Sequence, residues 1–400
     1  MQVAVAQRLA HTGEYYFSQK LRELAALNQA GADIINLGIG SPDLPPHPSV
    51  TAALTAGAAQ PNAHGYQSYQ GVPALRAALA GWYARHYGVA LDPAAEVLPL
   101  LGSKEGLMHV GMAFLDPGDE VLIPNPGYPT YRAVAQLCGA TVREYDLTAA
   151  TGWLPDLDAL AATDLSQVKM MLVNYPHMPT GARADAAFLA RLVDFARRHG
   201  IMLVHDNPYS FILNDEAPLS LLAVPGARDV ALELNSLSKS HNLAGWRVGL
   251  LAGRADWLRE VLRFKSNMDS GMFLPVQQAA VAALALGPDW YAELNATYHA
   301  RRTVVLELLH ALGCQPAPNQ TGLFVWAAVP PQFADGYALS DAVLAAARVF
   351  VTPGGIFGSN GQGFVRVSLC QPEDVLRAAV ARVRQANSLN LEPTVPPAAR

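Results

Sequence analysis

Three apolar runs in the middle of the chain each end on a cluster of polar and turn-forming residues. Ile201-Met-Leu-Val-His205 leads into Asp206-Asn-Pro-Tyr209, and Val168-Lys-Met-Met-Leu-Val173 leads into Asn174-Tyr-Pro-His-Met-Pro-Thr-Gly181. Glu120-Val-Leu-Ile-Pro124 leads into Asn125-Pro-Gly-Tyr-Pro-Thr-Tyr131. Apolar runs of this length predict buried strands, as in a parallel sheet. From Val97 to about Leu251 such strands alternate with amphipathic helices, and Val248-Gly-Leu-Leu-Ala-Gly253 reads as a further short strand. That alternation predicts a mostly parallel α/β sheet. The polar clusters then lie just beyond the carboxyl ends of strands, where open α/β sheets place their ligands.

The flanks read differently. Helical periodicity fits Ala74–His86, about Val276 to Leu286, and Trp290–Leu312 closing at Gly313. Beyond these come an apolar strand over Leu323–Val329, a helix over Asp341–Arg348, a strand over Phe364–Leu369 and a last helix from Glu373 to about Arg384. This end predicts a smaller α+β domain, packed with the N-terminal segment. The expected division is a large domain over 51–287 and a small one from 1–50 and 288–387. The tail Ser388–Arg400 has three prolines and no apolar periodicity, so disorder is expected there.

Composition narrows the class. A hydrophobic share of 51% against 15% charged residues suits a large buried core, and a net charge of −5 argues against nucleic-acid binding. Cys138, Cys314 and Cys370 have no metal-ligand spacing, and their odd number argues against a disulfide scaffold. No metal is expected. The N-terminus lacks the basic start and apolar core of a signal peptide, and no uncharged apolar run reaches spanning length. A cytoplasmic location without membrane contact is the expectation, by absence of any other address.

The candidate chemistry centres on Ser236-Leu-Ser-Lys-Ser-His-Asn-Leu-Ala-Gly-Trp-Arg247. A lysine among small hydroxylated residues suits a Schiff-base nucleophile, whose amine must be desolvated or electrostatically depressed to react. Ser236 and Arg247 would then hold a phosphate. Taken alone, the stretch is equally a polar loop followed by a solvated arginine. Asp206 and Tyr209 add a carboxylate and a phenol three residues apart, suited to a pyridinium nitrogen and to a phenolate oxygen on the same ring.

Together, and in this order, these motifs resemble those of the class I/II aminotransferases, the fold-type I enzymes of pyridoxal 5′-phosphate. The pattern is similar to the group that holds alanine, aromatic and LL-diaminopimelate aminotransferases. The resemblance runs from about Tyr15 to about Gln385. It implies a large domain with a seven-stranded, mostly parallel sheet and a smaller α+β domain. It implies that Lys239 forms the Schiff base, that Asp206 pairs with the pyridine nitrogen and that Tyr209 donates to the ring's phenolic oxygen. Tyr128 would stack on the ring. Ser103 and Lys104, opening a helix after a strand, would present backbone N–H groups to the phosphate. Ser236 and Arg247 would complete that cup, with Tyr66 reaching in from a neighbouring subunit of a homodimer. Arg366 would grip the substrate α-carboxylate, faced by the backbone of Gly38-Ile-Gly40. The implied reaction moves an amino group from an L-amino acid to a 2-oxo acid, 2-oxoglutarate foremost, in two ping-pong half-reactions.

Blander readings exist for several of these residues. Arg366 lies between Val365 and Val367 on an alternating strand, so it could sit on an exposed face. Tyr128 and Tyr66 could be ordinary loop aromatics, and Ser103 with Lys104 a plain helix start.

One position departs from the family pattern. Met178 stands where the family carries an asparagine before Pro-Thr-Gly, with His177 ahead of it. A thioether cannot donate to the phenolic oxygen. Tyr209 would become the main donor unless His177 or a water substitutes, and the Schiff-base pKa is expected to rise. This departure keeps open a carbon–sulfur β-lyase or an oxidase built on the same cofactor residues. The segment Asn267-Met-Asp-Ser-Gly-Met-Phe273 falls where relatives reach across to a neighbouring subunit's substrate. It has no arginine; Met268, Met272 and Phe273 would suit an apolar or adaptable pocket, and Asp269 a distal amine.

Overall fold

The structure, a computed structural model, describes residues 3–10, 12–14 and 16–387. The tail expected to be disordered lies outside the described residues.

A seven-stranded sheet forms the centre. Its spatial order is Val97–Leu100, Gly249–Gly253, Ala231–Ser236, Met202–Asp206, Val168–Asn174, Glu120–Asn125 and Thr141–Asp146. Neighbours are parallel throughout except that Gly249–Gly253 runs antiparallel to both of its partners. Ala231–Ser236 is buried along its whole length, and Val168–Asn174 everywhere but Lys169. Strands covered on both faces need continuous apolar runs, which is why the sequence shows them so clearly. Thr141–Asp146 is the exception. It is an edge strand, mostly open to solvent, and its Arg143 pairs with Glu120 on the neighbouring strand. The expected fold class holds: a mixed, mostly parallel seven-stranded sheet flanked by helices, with a smaller domain.

The smaller domain carries a four-stranded antiparallel sheet in the order Thr352–Pro353, Phe364–Ser368, Phe324–Ala328 and Gln315–Pro316. Its register sets Arg366 opposite both Trp326 and Thr352. The strand Ile35–Asn36 pairs in parallel with Val349–Phe350. Leu37 N–H then donates to Phe350 O, and Ser368 N–H to Leu37 O, which lays Gly38–Gly40 beside the Arg366 strand.

The helices form close to their expected limits. Pro73–Tyr87 ends at Gly88, whose φ of 67° makes it a left-handed cap. The helix expected at Asp341 starts earlier, as Gly336–Ala347, because the Asp335 carboxylate caps it by accepting from Ala338 N–H. Among the described residues no helix is long and apolar enough to cross a membrane.

Candidate active site

A cavity of about 720 Å³ opens at the carboxyl ends of the central strands. Asp206, Tyr209, Tyr128, Ser103, Lys104, Ser236, Lys239, Arg247, Arg366 and Met178 all line it.

Asp206 closes the strand Met202–Asp206 and is buried. Its Oδ2 accepts from the Tyr131 hydroxyl at 2.9 Å, while Oδ1 is buried without a hydrogen-bond partner. Burial pushes its pKa up to about 6, against the Tyr131 hydrogen bond and the charge of His205. An orphaned carboxylate oxygen on a residue that lines a cavity suits a cationic N–H partner. Asn174, at the end of the next strand, donates from Nδ2 to Asp206 O and accepts from Met178 N–H, tying the two strand ends together.

Lys239 sits on the four-residue helix Leu237–Ser240, capped by the Ser236 hydroxyl. Its Nζ donates to Gly40 O at 2.5 Å. Burial depresses its pKa, with Arg366 and Arg247 adding to the effect and Cys370 opposing it. A lysine held this way is more readily neutral and nucleophilic than a surface lysine. Cys370 itself is packed, and burial pushes its thiol up.

An anion cup forms where the helix Ser103–Phe114 begins. Gly102, with φ 92°, turns the chain into it. A Cβ on Gly102 would come within 2.0 Å of Arg247 Nη2, so the guanidinium lies directly against this turn. First-turn N–H groups, the helix dipole and the guanidinium together favour an anion. Burial, then the Arg247 charge, lowers the Lys104 pKa. Ser236 Oγ lies 2.9 Å from Ser238 Oγ, and both serines line the cavity.

At the other end Arg366 is buried under aromatic rings. Its guanidinium carbon is 3.8 Å from the Phe324 ring centre, 4.7 Å from Phe357 and 5.4 Å from Phe17. It donates to Gly38 O at 2.7 Å and approaches Met178 Sδ at 3.3 Å. The exposed-face reading of Arg366 does not hold, since the residue is only 4% exposed.

Other expected residues lie elsewhere. Gly38 does not line the cavity; its N–H donates to Asn36 Oδ1 and its carbonyl is taken by Arg366, so Ile39 and Gly40 face the space instead. Tyr66 is 93% exposed and stands outside its own chain's cavity. His177 is buried beside Thr180 Oγ1 at 2.8 Å and does not line the cavity; burial drives its pKa down to about 3. Met272 is core, and both Asp269 oxygens are taken by Lys265 Nζ at 2.8 and 2.7 Å, which removes Asp269 as a partner for a distal amine. Asp269, Glu105 and His109 cluster closely enough to suggest metal ligands, but the Lys265 ammonium already supplies the cation there. Sequence reasoning missed Tyr131, Ser238, Phe17, Phe324 and Phe357.

Residues 32–383 match the family model for class I and II aminotransferases. The chain belongs to that family. This aminotransferase is 41% identical to an LL-diaminopimelate aminotransferase of Moorella thermoacetica, over 95% of this chain and 97% of that one. It is 42% identical to another of that name from Desulforudis audaxviator, over 96% and 98%. Among solved structures, substrate-bound BacF from Bacillus subtilis superposes with a TM-score of 0.92 at 36% identity, over 99% of this chain and all of that one. Thermus thermophilus aspartate aminotransferase with maleate gives 0.90 at 26% identity, over 96% and 100%. Like its family, this aminotransferase is a transaminase that works with pyridoxal 5′-phosphate. The cavity suits that cofactor on its own evidence, because the orphaned Asp206 oxygen, the depressed Lys239 amine and the anion cup all line one space.

Proposed function

We propose that this transaminase takes the amino group of an L-amino acid and delivers it to 2-oxoglutarate, in two half-reactions at one site. The observation that carries the reading is the buried, unpartnered Asp206 Oδ1 in the same cavity as Lys239. Asp206 accepts from the pyridine N–H and keeps that nitrogen protonated. The Tyr209 hydroxyl donates to the phenolic oxygen, and Tyr128 covers the ring face. Ser103 and Lys104 N–H groups, the Ser236 hydroxyl and the Arg247 guanidinium hold the phosphate, with Tyr66 of a second copy completing the cup in a homodimer. Bound there, pyridoxal phosphate supplies the electron sink for cleavage at the substrate's α-carbon.

Arg366 binds the α-carboxylate by a two-pronged hydrogen bond, with the Gly38–Gly40 backbone behind it, and so orients the α-C–H bond. Lys239 Nζ, uncharged, takes the α-proton and later returns one. The relatives' name makes LL-diaminopimelate one donor to test. The apolar walls Phe17, Leu21, Ile39 and Phe357 make aromatic and aliphatic amino acids the others.

The test is a panel of L-amino donors with 2-oxoglutarate, read as glutamate formed. Each active donor should also yield one equivalent of oxo acid per site when the acceptor is left out. Continuous pyruvate release from cysteine conjugates without acceptor, or oxygen uptake, would replace this reading with a lyase or an oxidase.

A further inference from the structure

Behind Asp206, on the other face of the sheet, two buried ionisable residues meet that the reaction does not use. His205 is 1% exposed and Glu233 is 0% exposed. They are register partners on adjacent parallel strands, so their side chains share a face. His205 Nδ1 lies 2.9 Å from Glu233 Oε2, and Nε2 lies 3.0 Å from Tyr175 O. A carbonyl oxygen only accepts, so Nε2 carries hydrogen.

The state of Nδ1 follows from what surrounds Glu233. Its Oε1 accepts from the Tyr83 hydroxyl at 2.9 Å and from Asn207 Nδ2 at 3.4 Å. Its Oε2 accepts from the Ser220 hydroxyl and from Leu221 N–H, each at 2.9 Å. Tyr83 is fixed as a donor, because burial and then the Glu233 charge raise its pKa far above the usual phenol value. Tyr87, on the same helix, is raised by burial and by the same charge. Four donors besides His205 converge on one carboxyl group, and Oε2 already accepts from Ser220 and Leu221, an environment that suits an ionised carboxylate better than a protonated one. Facing an ionised carboxylate, Nδ1 is the donor to Oε2, and both ring nitrogens of His205 then carry hydrogen.

We propose that the His205–Glu233 ion pair is a positioning device that holds Asp206 ionised from behind, so that Asp206 can keep the ring nitrogen protonated. Asp206 follows His205 directly and points to the opposite face, toward Tyr131. The groups that act on its carboxylate are the Tyr131 hydroxyl from the helix Pro129–Leu137 and the His205 charge from its own strand. Tyr209, raised by burial, stays a neutral phenol. Asn174 reaches only the Asp206 backbone. Burial works against ionisation of Asp206, and the positive charge one residue back is one of two influences that oppose it. Glu233 keeps that charge in place as its paired, hydrogen-bonded partner; a buried charge without one is strongly disfavoured.

The inference rests on reading Asp206 as the partner of the ring nitrogen, and the experiment separates the two. Proton NMR of the wild-type holoenzyme with 15N-labelled histidine, at pH 8, should show N–H protons on both ring nitrogens of His205. The resonances are assigned by their loss in His205→Gln. A single ring N–H overturns the proposal without touching the reading of Asp206. Pyridoxal phosphate binding to the cofactor-free protein is then titrated from pH 5 to 9. In His205→Gln the acid limb should move up by about one unit, with affinity at pH 8 little changed. Glu233→Gln should move it the same way. An unmoved acid limb in a folded His205→Gln protein overturns the proposal. If Asp206→Asn binds with the wild-type profile, the reading of Asp206 fails and the proposal falls with it, although the two His205 N–H signals would remain.

Discussion

Tyr131 donates its hydroxyl to Asp206 Oδ2 at 2.9 Å and leaves the other carboxylate oxygen buried and unpartnered, on a residue that lines the cavity. The phenol does two things at once. It fixes the rotation of the carboxyl group, and it stabilises the ionised form that burial disfavours. Holding this carboxylate ionised in a buried position costs the cofactor-free protein stability.

That cost has a sign that can be measured. An unfolded aspartate ionises near about 3.9, whereas folded Asp206 is raised to about 6. Below both values the group is protonated in either state and costs nothing. As pH rises from about 4 to 6 the folded state holds more protons than the unfolded one, so stability falls; above 6 the penalty is constant. Cofactor-free Asp206→Asn, which still accepts from Tyr131, should be more stable than cofactor-free wild type at pH 8, by up to roughly 2–3 kcal/mol. The advantage should shrink from pH 6 downward and vanish near 4. Thermal unfolding of both proteins across this range checks it, and equal melting temperatures at pH 8 would count against a strained carboxylate.

Lys239→Ala should abolish turnover and the visible absorbance of the covalently bound cofactor, while the protein still folds. Ser236, which caps its short helix, is untouched by the change. Measurable steady-state activity in the purified variant would mean that another amine takes its place.

Arg366→Lys should raise KM for every α-amino acid alike, by roughly 10–100-fold, the size expected for losing a charge-assisted hydrogen bond. The planar guanidinium lies against the Phe324 ring and still reaches Gly38 O, a geometry that an ammonium on a flexible stem does not reproduce. KM and kcat/KM for an aliphatic, an aromatic and an acidic donor decide the matter. A loss confined to acidic donors would show that Arg366 reads the side chain.

The sheet was legible, and so was the gathering of the motif residues at one cavity, because the motifs follow apolar strands and parallel strands deliver their carboxyl ends to one edge. Asp206 could be named for that reason; Lys239 and Arg247 stood out by their hydroxyl-rich stretch, and Tyr128 came only through the family resemblance. Tyr131 could not be named: it closes the Asn125–Tyr131 motif, but its partner comes from a strand 75 positions away. Ser238 hid behind Ser236 although both line the cavity. The aromatic wall around Arg366 draws on Phe17, Phe324 and Phe357, which no local spacing connects. Asp269 was readable in principle. Lys265 lies four residues earlier at a helix end, and that spacing favours the ion pair now seen. The edge strand Thr141–Asp146 carries polar residues because solvent faces it, so it lacks the apolar run that marks its neighbours.

Tyr66 tests assembly. At 93% exposure it has no role within its own chain's cavity, whereas a second copy could use it. If two chains share their sites, mixing inactive Tyr66→Ala and Lys239→Ala proteins should restore activity, since one site of each hybrid carries neither lesion. The yield should approach a quarter of the wild-type sites at full random exchange, on the order of what two-fold symmetry dictates. Exchange is verified by a mass tag on one variant; no recovery despite exchange would assign Tyr66 to another role.

Met178 is where this chain departs from its family's pattern, and its sulfur lies 3.3 Å from Arg366 Nη1 at the cavity wall. Asparagine there would offer its carbonyl to Arg366 and its amide N–H to the cofactor's phenolic oxygen. His177 does not compete for that role, since it faces Thr180 and lies outside the cavity lining. A new donor to the phenolate favours the deprotonated linkage between Lys239 and the cofactor, so Met178→Asn should lower the pH at which the visible band titrates. A neutral hydrogen bond is worth about 1 kcal/mol, somewhat under one pH unit. The wild-type band should correspondingly titrate high, leaving the linkage protonated and receptive to an amine over a wider alkaline range. A titration that does not move in Met178→Asn would mean that a water already donates to the ring oxygen. Methionine at 178 would then act through Arg366 alone, and the effect of the substitution would appear in KM for the donor rather than in the spectrum.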